Sequence, residues 1–353
     1  MKKLFRMIAI VFAIMTVFTM VSCPETLNEL VADGSELKPF LVSNSTALNK
    51  VGSGIDGWDT DKYYLQTADF DLSIPGAWDT ALCAESGKPF TGTYNGSGFL
   101  IRNTYTGSAA ATKDSLFRNI GAGGLVKNLG LVVNINSSIP YVGAIAGVNE
   151  GIIENCYVIT TTESITHSGS DGVGGLVGYN KNIIRNCYSG ATVASTGTGI
   201  TGAIAARNDG RIEYCYATGE VSSNSYAGGL VGTDTVVDGV INCVALNDPG
   251  VITTSGGMGY IGCIAGLTNA TTIRNYARYE MTLTYGGGST VTIGPGIRYG
   301  TKVDLDDYKG NGSDTWWSNA SIGPGFPSSQ WVFAVNSFPK LKILDSDTLI
   351  SGQ

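Results

Sequence analysis

The chain has 353 residues, of which 14% are charged and 49 are glycine, with a formal net charge of −7. No Lys/Arg cluster follows the N-terminal leader, which excludes nucleic-acid binding driven by phosphate neutralisation. The abundance of Gly, Ser, Thr, Asn, Val, Ile and Tyr disfavours a helical enzyme and points to an all-β fold of many short strands.

The first element is MKKLFRMIAIVFAIMTVFTMVSC: a basic start, an apolar run from Met7 to Val21, and a small residue before Cys23. That order describes an export signal over residues 1–22, not a spanning helix. Met20-Val21-Ser22-Cys23 resembles a bacterial lipobox, with Met20 where Leu is usual. Cys23 is then the expected lipidation site, its thiol diacylated and inserted in a membrane leaflet. The alternative is ordinary cleavage nearby with Cys23 incidental. Residues 23–60 read as anchor, linker and N-terminal cap, with a short helix expected over 24–34.

From residue 61 to 285 the sequence repeats itself. VGAIAGVNEGIIENCYV (142–158) aligns without gaps on VGGLVGYNKNIIRNCYS (173–189), and TGAIAARNDGRIEYCYA (201–217) keeps the register. Copies at 227–245 and 261–277 need small insertions, and 114–132 is a degenerate copy. Within a copy, GGLVG, IIRNCY and ATV read as three short strands, with Asn-x-Gly corners between the first two. The pattern implies an all-β parallel β-helix, a β-solenoid of about six irregular coils with N- and C-terminal capping segments. Residues 286–353 form the expected closing segment, in which Trp316, Trp317, Trp331 and Phe338 supply bulk over the last coil.

Stacking such coils places like residues above like, about 4.8 Å apart. Ile145, Leu176, Ile204, Leu230 and Ile264 form one expected inward ladder, and Ile153, Ile184, Ile212, Ile241 and Ile273 a second. Gly143, Gly174, Gly202, Gly228 and Gly262 leave room at a corner where backbone passes close to backbone. Asn155, Asn186, Asn242 and Asn275 form an expected amide ladder interrupted by Tyr214. Cys156, Cys187, Cys215 and Cys243 form a further column. It has no C-x-x-C pair and no tetrahedral arrangement, so no metal site is expected; it contains buried apolar thiols or, since export permits oxidation, stacked disulfides. Tyr157, Tyr188 and Tyr216, one residue on, face outward if the cysteines face in. They are the candidate ligand-facing aromatics, or else a ladder that covers and stabilises the sheet.

GGLVGYNKNIIRNCYSGATV (174–193) resembles the GLUG motif, named for its Gly-Leu-(any)-Gly core. The resemblance extends over about residues 36 to 344. Its opening segment is YYLQTADFDLS with FTGTYNGSGFLIRN, and its closing segment is SSQWVFAVNSFPKLKIL. It implies a bacterial surface protein, since the family includes adhesins and non-catalytic regions of immunoglobulin-cleaving peptidases. No catalytic residues and no cofactor come with it.

Other chemistry is present only as pattern. Gly197-Gly199-Gly202 and Gly257-Gly259-Gly262 match G-x-G-x-x-G, but each precedes a repeat strand where a dinucleotide site needs a helix. The single histidine, His167, reads as a solvated loop residue, and there is no G-x-S-x-G elbow. Carboxylate pairs for glycan cleavage are Asp59/Asp61, Asp69/Asp71 and Asp304/Asp306/Asp307, with Asp69 and Asp71 also suited to turn bonding. DLDDYKG lacks the spacing of a calcium loop. The expected function is a non-enzymatic, surface-exposed lipoprotein that binds a glycan or an extracellular protein. The alternatives are a glycan-cleaving β-helix and a purely structural envelope protein.

Overall fold

The computed structural model describes residues 31–72, 81–84, 87–103, 115–161, 164–247, 251–255, 257, 260–268, 273–286, 288–291, 298–304, 315–334 and 337–342. The export signal, Cys23 and most of the helix expected over 24–34 lie outside them; residues 31–34 are not helical. The chain is an all-β parallel solenoid, as the repeats imply. Each full coil has five short strands where three were expected: Gly172–Gly174, Val177–Asn180, Ile183–Arg185, Tyr188–Gly190 and Val193–Ser195 in one coil. Equivalent strands stack into parallel sheets of eight, five, six and nine strands and a seven-stranded sheet that is parallel but for its terminal hairpin strand, Ser289–Val291. The two additional strands arise because two expected strands are each divided by a bend, GGLVG between Gly172–Gly174 and Val177–Asn180, and IIRNCY between Ile183–Arg185 and Tyr188–Gly190.

Winding begins at Phe40–Val42, which pairs with Tyr63–Gln66 and then Thr93–Asn95. Phe40, Trp58, Tyr64, Phe90 and Phe117 form a chain of ring contacts with centroids 4.6 to 6.0 Å apart, filling the base of the stack. Winding continues to Thr301–Val303, the last strand of the nine-stranded sheet.

The first aliphatic ladder is as expected. Ile145 N donates to Leu176 O, Leu176 N to Ile204 O, Ile204 N to Leu230 O and Leu230 N to Ile264 O, and all five side chains are fully buried. The second holds for Ile153, Ile184 and Ile212 and then departs from the sequence alignment. Val240, not Ile241, pairs with Ile212, and Ile241 pairs with Glu213. Ile273 bridges Ile241 and is 44% exposed. The extra residues of the fourth copy form a turn ending at Gly239, so counting from the corner glycine runs one position ahead.

The outward neighbours of that ladder are Lys127, Glu154, Arg185 and Glu213 in register. Arg185 reaches Glu154 Oε2 through Nε at 2.9 Å and Nη2 at 2.6 Å. Such a surface pair adds little stability, but alternating signs avoid the repulsion of like charges stacked directly opposite one another.

The corner glycines have a steric cause. A Cβ at Gly143, Gly174, Gly202, Gly228 or Gly262 would lie 2.4, 2.0, 2.2, 1.8 or 2.1 Å from backbone atoms of the turn or the next coil. Gly228→Ala is therefore expected to cost about 3 kcal/mol by forced overpacking. Gly257→Ala, whose nearest neighbour would be 3.8 Å away, should change stability by less than about 0.5 kcal/mol. Urea denaturation of the two variants measures the contrast.

Candidate functional site

The four predicted cysteines occupy the inward column expected for them. Cys156, Cys187, Cys215 and Cys243 are fully buried and carry free thiols. Each thiol donates within its own coil, Cys187 Sγ to Arg185 O at 3.1 Å and Cys243 Sγ to Ile241 O at 3.1 Å. Burial pushes the Cys156 and Cys215 thiols well above the ordinary value. The column is packing material, small apolar side chains filling the interior.

The asparagine column has a different cause from the one expected. Asn155, Asn186 and Asn242 take left-handed backbone, with φ of 55°, 52° and 55°, as do Asn128 and the interrupting Tyr214. Asparagine is enriched there because its side chain tolerates that conformation better than most. The amide contacts are partial: Asn155 Nδ2 donates to Asn128 Oδ1 at 3.3 Å, while Asn186 Oδ1 accepts from Trp331 Nε1. Asn275 does not belong to this column. It stands in the cysteine register, where its Oδ1 accepts from Cys243 N at 2.9 Å and its Nδ2 donates to Val240 O at 2.6 Å. Arg274 holds the left-handed position in that coil, with φ of 50°.

A continuous amide ladder lies elsewhere. Asn149 Nδ2 donates to Asn180 Oδ1 at 2.8 Å, Asn180 Nδ2 to Asn208 Oδ1 at 2.8 Å, and Asn208 Nδ2 to Asp234 Oδ1 at 2.9 Å. All four side chains are buried. The Asn in GVNEG, GYNKN and ARNDG recurs as regularly as the one before Cys, and that regularity was the available signal.

Tyr157, Tyr188 and Tyr216 point away from the coil interior, as alternation requires. Their rings stack at 5.1 and 5.0 Å with interplanar angles of 11° and 4°. They are not solvent-facing, which corrects the expectation: exposures are 3%, 3% and 4%. The closing segment lies over them instead of over the last coil. Trp317, Trp331 and Phe338 pack on Tyr216 at 5.8, 5.8 and 6.1 Å, and Trp316 packs on Tyr276. Tyr216 Oη donates to Pro339 O at 2.9 Å. An aromatic row that would expose a large apolar surface is buried against the chain's own tryptophans, forming a second core.

His167 is also corrected. It ends the strand Ile165–His167 and is fully buried, with Nε2 2.9 Å from Ile139 O. A carbonyl only accepts, so Nε2 carries the proton. Its register neighbours are Ser137, whose Oγ accepts from Ile139 N at 3.3 Å, and Ser195, whose buried Oγ has no hydrogen-bond partner. Asp69 Oδ1 accepts from Leu100 N at 2.8 Å, the turn-bonding role. Asp306 and Asp307 lie outside the described residues. Among the described residues, no three His, Cys, Asp or Glu side chains converge on a metal position.

One outward flank does expose aromatics. Tyr141, Gly172, Ile200, Tyr226 and Tyr260 share one register position on successive coils. A second row, Val148, Tyr179, Arg207, Thr233 and Leu267, runs alongside. Tyr141 and Tyr179 meet across the rows at 5.1 Å, and Tyr226 and Tyr260 meet edge to face at 4.8 Å. Tyr260 is 43% exposed and the other three tyrosines are half-buried.

The first tyrosine pair is held rigidly. Tyr179 Oη donates to Asp209 Oδ2, and Arg207 lies 4.7 Å over its ring. Asp209 also receives Arg207 Nη2 at 2.8 Å and Thr235 Oγ1 at 2.7 Å. Burial alone would raise the Asp209 carboxyl, but the hydrogen bonds from Arg207, Tyr179 and Thr235 hold it below its ordinary value. Burial and that carboxylate push Tyr179 up to about 12. Arg118 donates through Nη2 to Pro140 O at 2.9 Å and through Nη1 to Tyr141 O at 3.3 Å. It thereby fixes Tyr141 in the left-handed region at φ 52°, strained for a bulky residue.

No protein-family model matches the chain. A protein of Evansella cellulosilytica, provisionally named a Gly-rich membrane protein, is 27% identical over 158 residues, covering 43% of this chain. The match spans only 18% of that relative's length. A crystal structure of a protein provisionally named an immunoglobulin A1 protease, from Bacteroides ovatus, is similar with a TM-score of 0.68. It covers 89% of this chain and 95% of that one at 21% identity, a likeness of fold alone.

Asp234, next to Thr235, ends the amide ladder as a buried carboxyl whose Oδ2 has no hydrogen-bond partner. Burial raises it to about 6, against the smaller lowering effect of Asn208 and the Val236 N–H. It binds its proton more tightly folded than unfolded, so its contribution to stability is fully present below pH 3.8 and is lost as pH rises through about 6. Asp234→Asn should abolish that fall and raise stability at pH 7.5 by up to about 3 kcal/mol. Urea midpoints of both proteins across pH 4 to about 8 test this.

Proposed function

We propose that the chain is an exported, lipid-anchored solenoid of the bacterial envelope that binds a ligand through the Tyr141–Tyr260 flank and catalyses nothing. The supporting observation is the fixed Tyr141/Tyr179 pair: a strained, outward aromatic clamped by Arg118, beside one locked by Asp209, Arg207 and Thr235. Strain at an outward aromatic residue persists only where surrounding contacts enforce it, and such sites cluster at ligand clamps. Residues that could do chemistry have structural duties: four thiols fill the core, His167 bonds a buried carbonyl, and Asp69 bonds a turn amide.

Anchoring through a diacylglyceryl group on Cys23 is supported by the MVSC sequence and the basic-apolar leader. The membrane name of the Evansella relative accords with an envelope location. The long parallel stack makes a rigid rod suited to presenting a flank away from the surface.

A glycan and extracellular-matrix array probed with the full chain in mild detergent tests the proposal. Retention by at least one ligand, lost on replacing Tyr141 and Tyr260 together by Ala, is the expected result. Release of cleaved glycan would establish the enzymatic alternative, and a blank array the purely structural one.

A further inference from the structure

The proposed binding flank also constrains the chemistry of its ligand. Three of its four tyrosines, Tyr141, Tyr226 and Tyr260, share a single line of register-equivalent positions, four coil steps from Tyr141 to Tyr260, and Tyr179 flanks the first end from the neighbouring row. At about 4.8 Å per step the line is roughly 19 Å long. Between the pairs lie Gly172, which presents no side chain, and Ile200, which is half-buried. The line is therefore raised at both ends, lower in the middle, and only one or two side chains wide.

A globular partner of ordinary affinity needs a broad patch of about 800 Å² on each side, and a narrow line of this kind is poorly matched to one. An extended polymer laid along the axis fits it better. Charge narrows the class further. The charges beside the line are few and mixed in sign: Arg207 pairs with Asp209 and Lys181 with Glu150, each at 2.8 Å, Arg118 donates to the Pro140 and Tyr141 carbonyls, and Asp171 immediately precedes Gly172. A polyanion or a polycation would find no run of one sign along that stretch. Exposed aromatic faces carry negative quadrupole density, which matches the polarised C–H face of a sugar ring. The paired side chains and the Thr235 hydroxyl offer hydrogen-bonding groups to sugar hydroxyls.

We propose that this flank binds an uncharged polysaccharide strand running along the solenoid axis, stacked on Tyr141, which Tyr179 supports, at one end and on Tyr226 and Tyr260 at the other. The proposal rests on the ligand-binding reading above and commits it to one class.

Affinity electrophoresis of the full chain in mild detergent tests it. The gels would contain xyloglucan, galactomannan or laminarin as neutral probes, and heparin or polygalacturonate as anionic ones. Retardation by at least one neutral polymer is expected, weakened roughly tenfold in Tyr260→Ala, the loss of one stacking ring. Tyr141→Gly should weaken it similarly while its urea midpoint is unchanged or higher, because glycine relieves the left-handed strain. A merely structural tyrosine would not separate the two readouts. Neutral binding untouched by both variants, or retardation by the anionic polymers alone, overturns the proposal. Binding of a matrix protein through these tyrosines, with no glycan bound, overturns the polysaccharide class and leaves the ligand-binding flank intact. Absence of any binding through the flank overturns both.

Discussion

In-register stacking is the constraint on which this structure depends. Backbone N–H and C=O groups of strands within the stack bond to the coils above and below, so each side chain meets its own equivalent at the strand spacing. A residue type is tolerated at a column only if it can stand beside itself. Aliphatics and thiols pack, carboxamides donate and accept in turn, glycines allow a corner, and charges must alternate. Most of the composition follows: abundant Gly, Asn and Ile, few charges, and cysteines that serve as small apolar filling.

Column logic also explains where the structure breaks its own pattern. The Asn149–Asn180–Asn208 ladder is directional, each Nδ2 donating to the next Oδ1. Such a chain is completed by a group that accepts, and Asp234 does so in a position where burial opposes its charge. Asn275 in the cysteine register replaces a thiol with a group that bonds two backbone atoms of the neighbouring coil. Both departures occur toward the C-terminal end of the stack, where repetition gives way to the closing segment. That segment covers the stacked Tyr157, Tyr188 and Tyr216, and the flank carrying Tyr141 and Tyr260 keeps aromatics at the surface.

The fold was readable because periodicity survives divergence: the corner glycines, the Ile145 ladder and the cysteine column all stand where the spacing placed them. Three things were not readable. Insertions in the copies at 227–245 and 261–277 moved Ile241 and Ile273 out of the inward column, since sequence spacing does not say whether an extra residue falls before or after a strand. The strand Ile165–His167 looked like a loop, because an inward His that bonds a turn carbonyl mimics a solvated connection. The covering of Tyr216 by Trp331 and Phe338 joins residues more than a hundred positions apart, with no repeat to announce it. The exposed flank was missed for a related reason: Tyr141, Tyr226 and Tyr260 align only after strand register is known, with Gly172 and Ile200 between them.

Pulsed dipolar electron paramagnetic resonance between nitroxide labels tests the register most directly. Asn136, Thr166, Ala194, Ser222 and Thr253 share an outward column of the seven-stranded sheet. Label pairs at 136/222 and 136/253 should give narrow distributions whose means differ by about 4.8 Å, one coil. Distances that fail to grow by one strand spacing per coil, or broad distributions unrelated to it, would contradict the stacked solenoid and all that is derived from it.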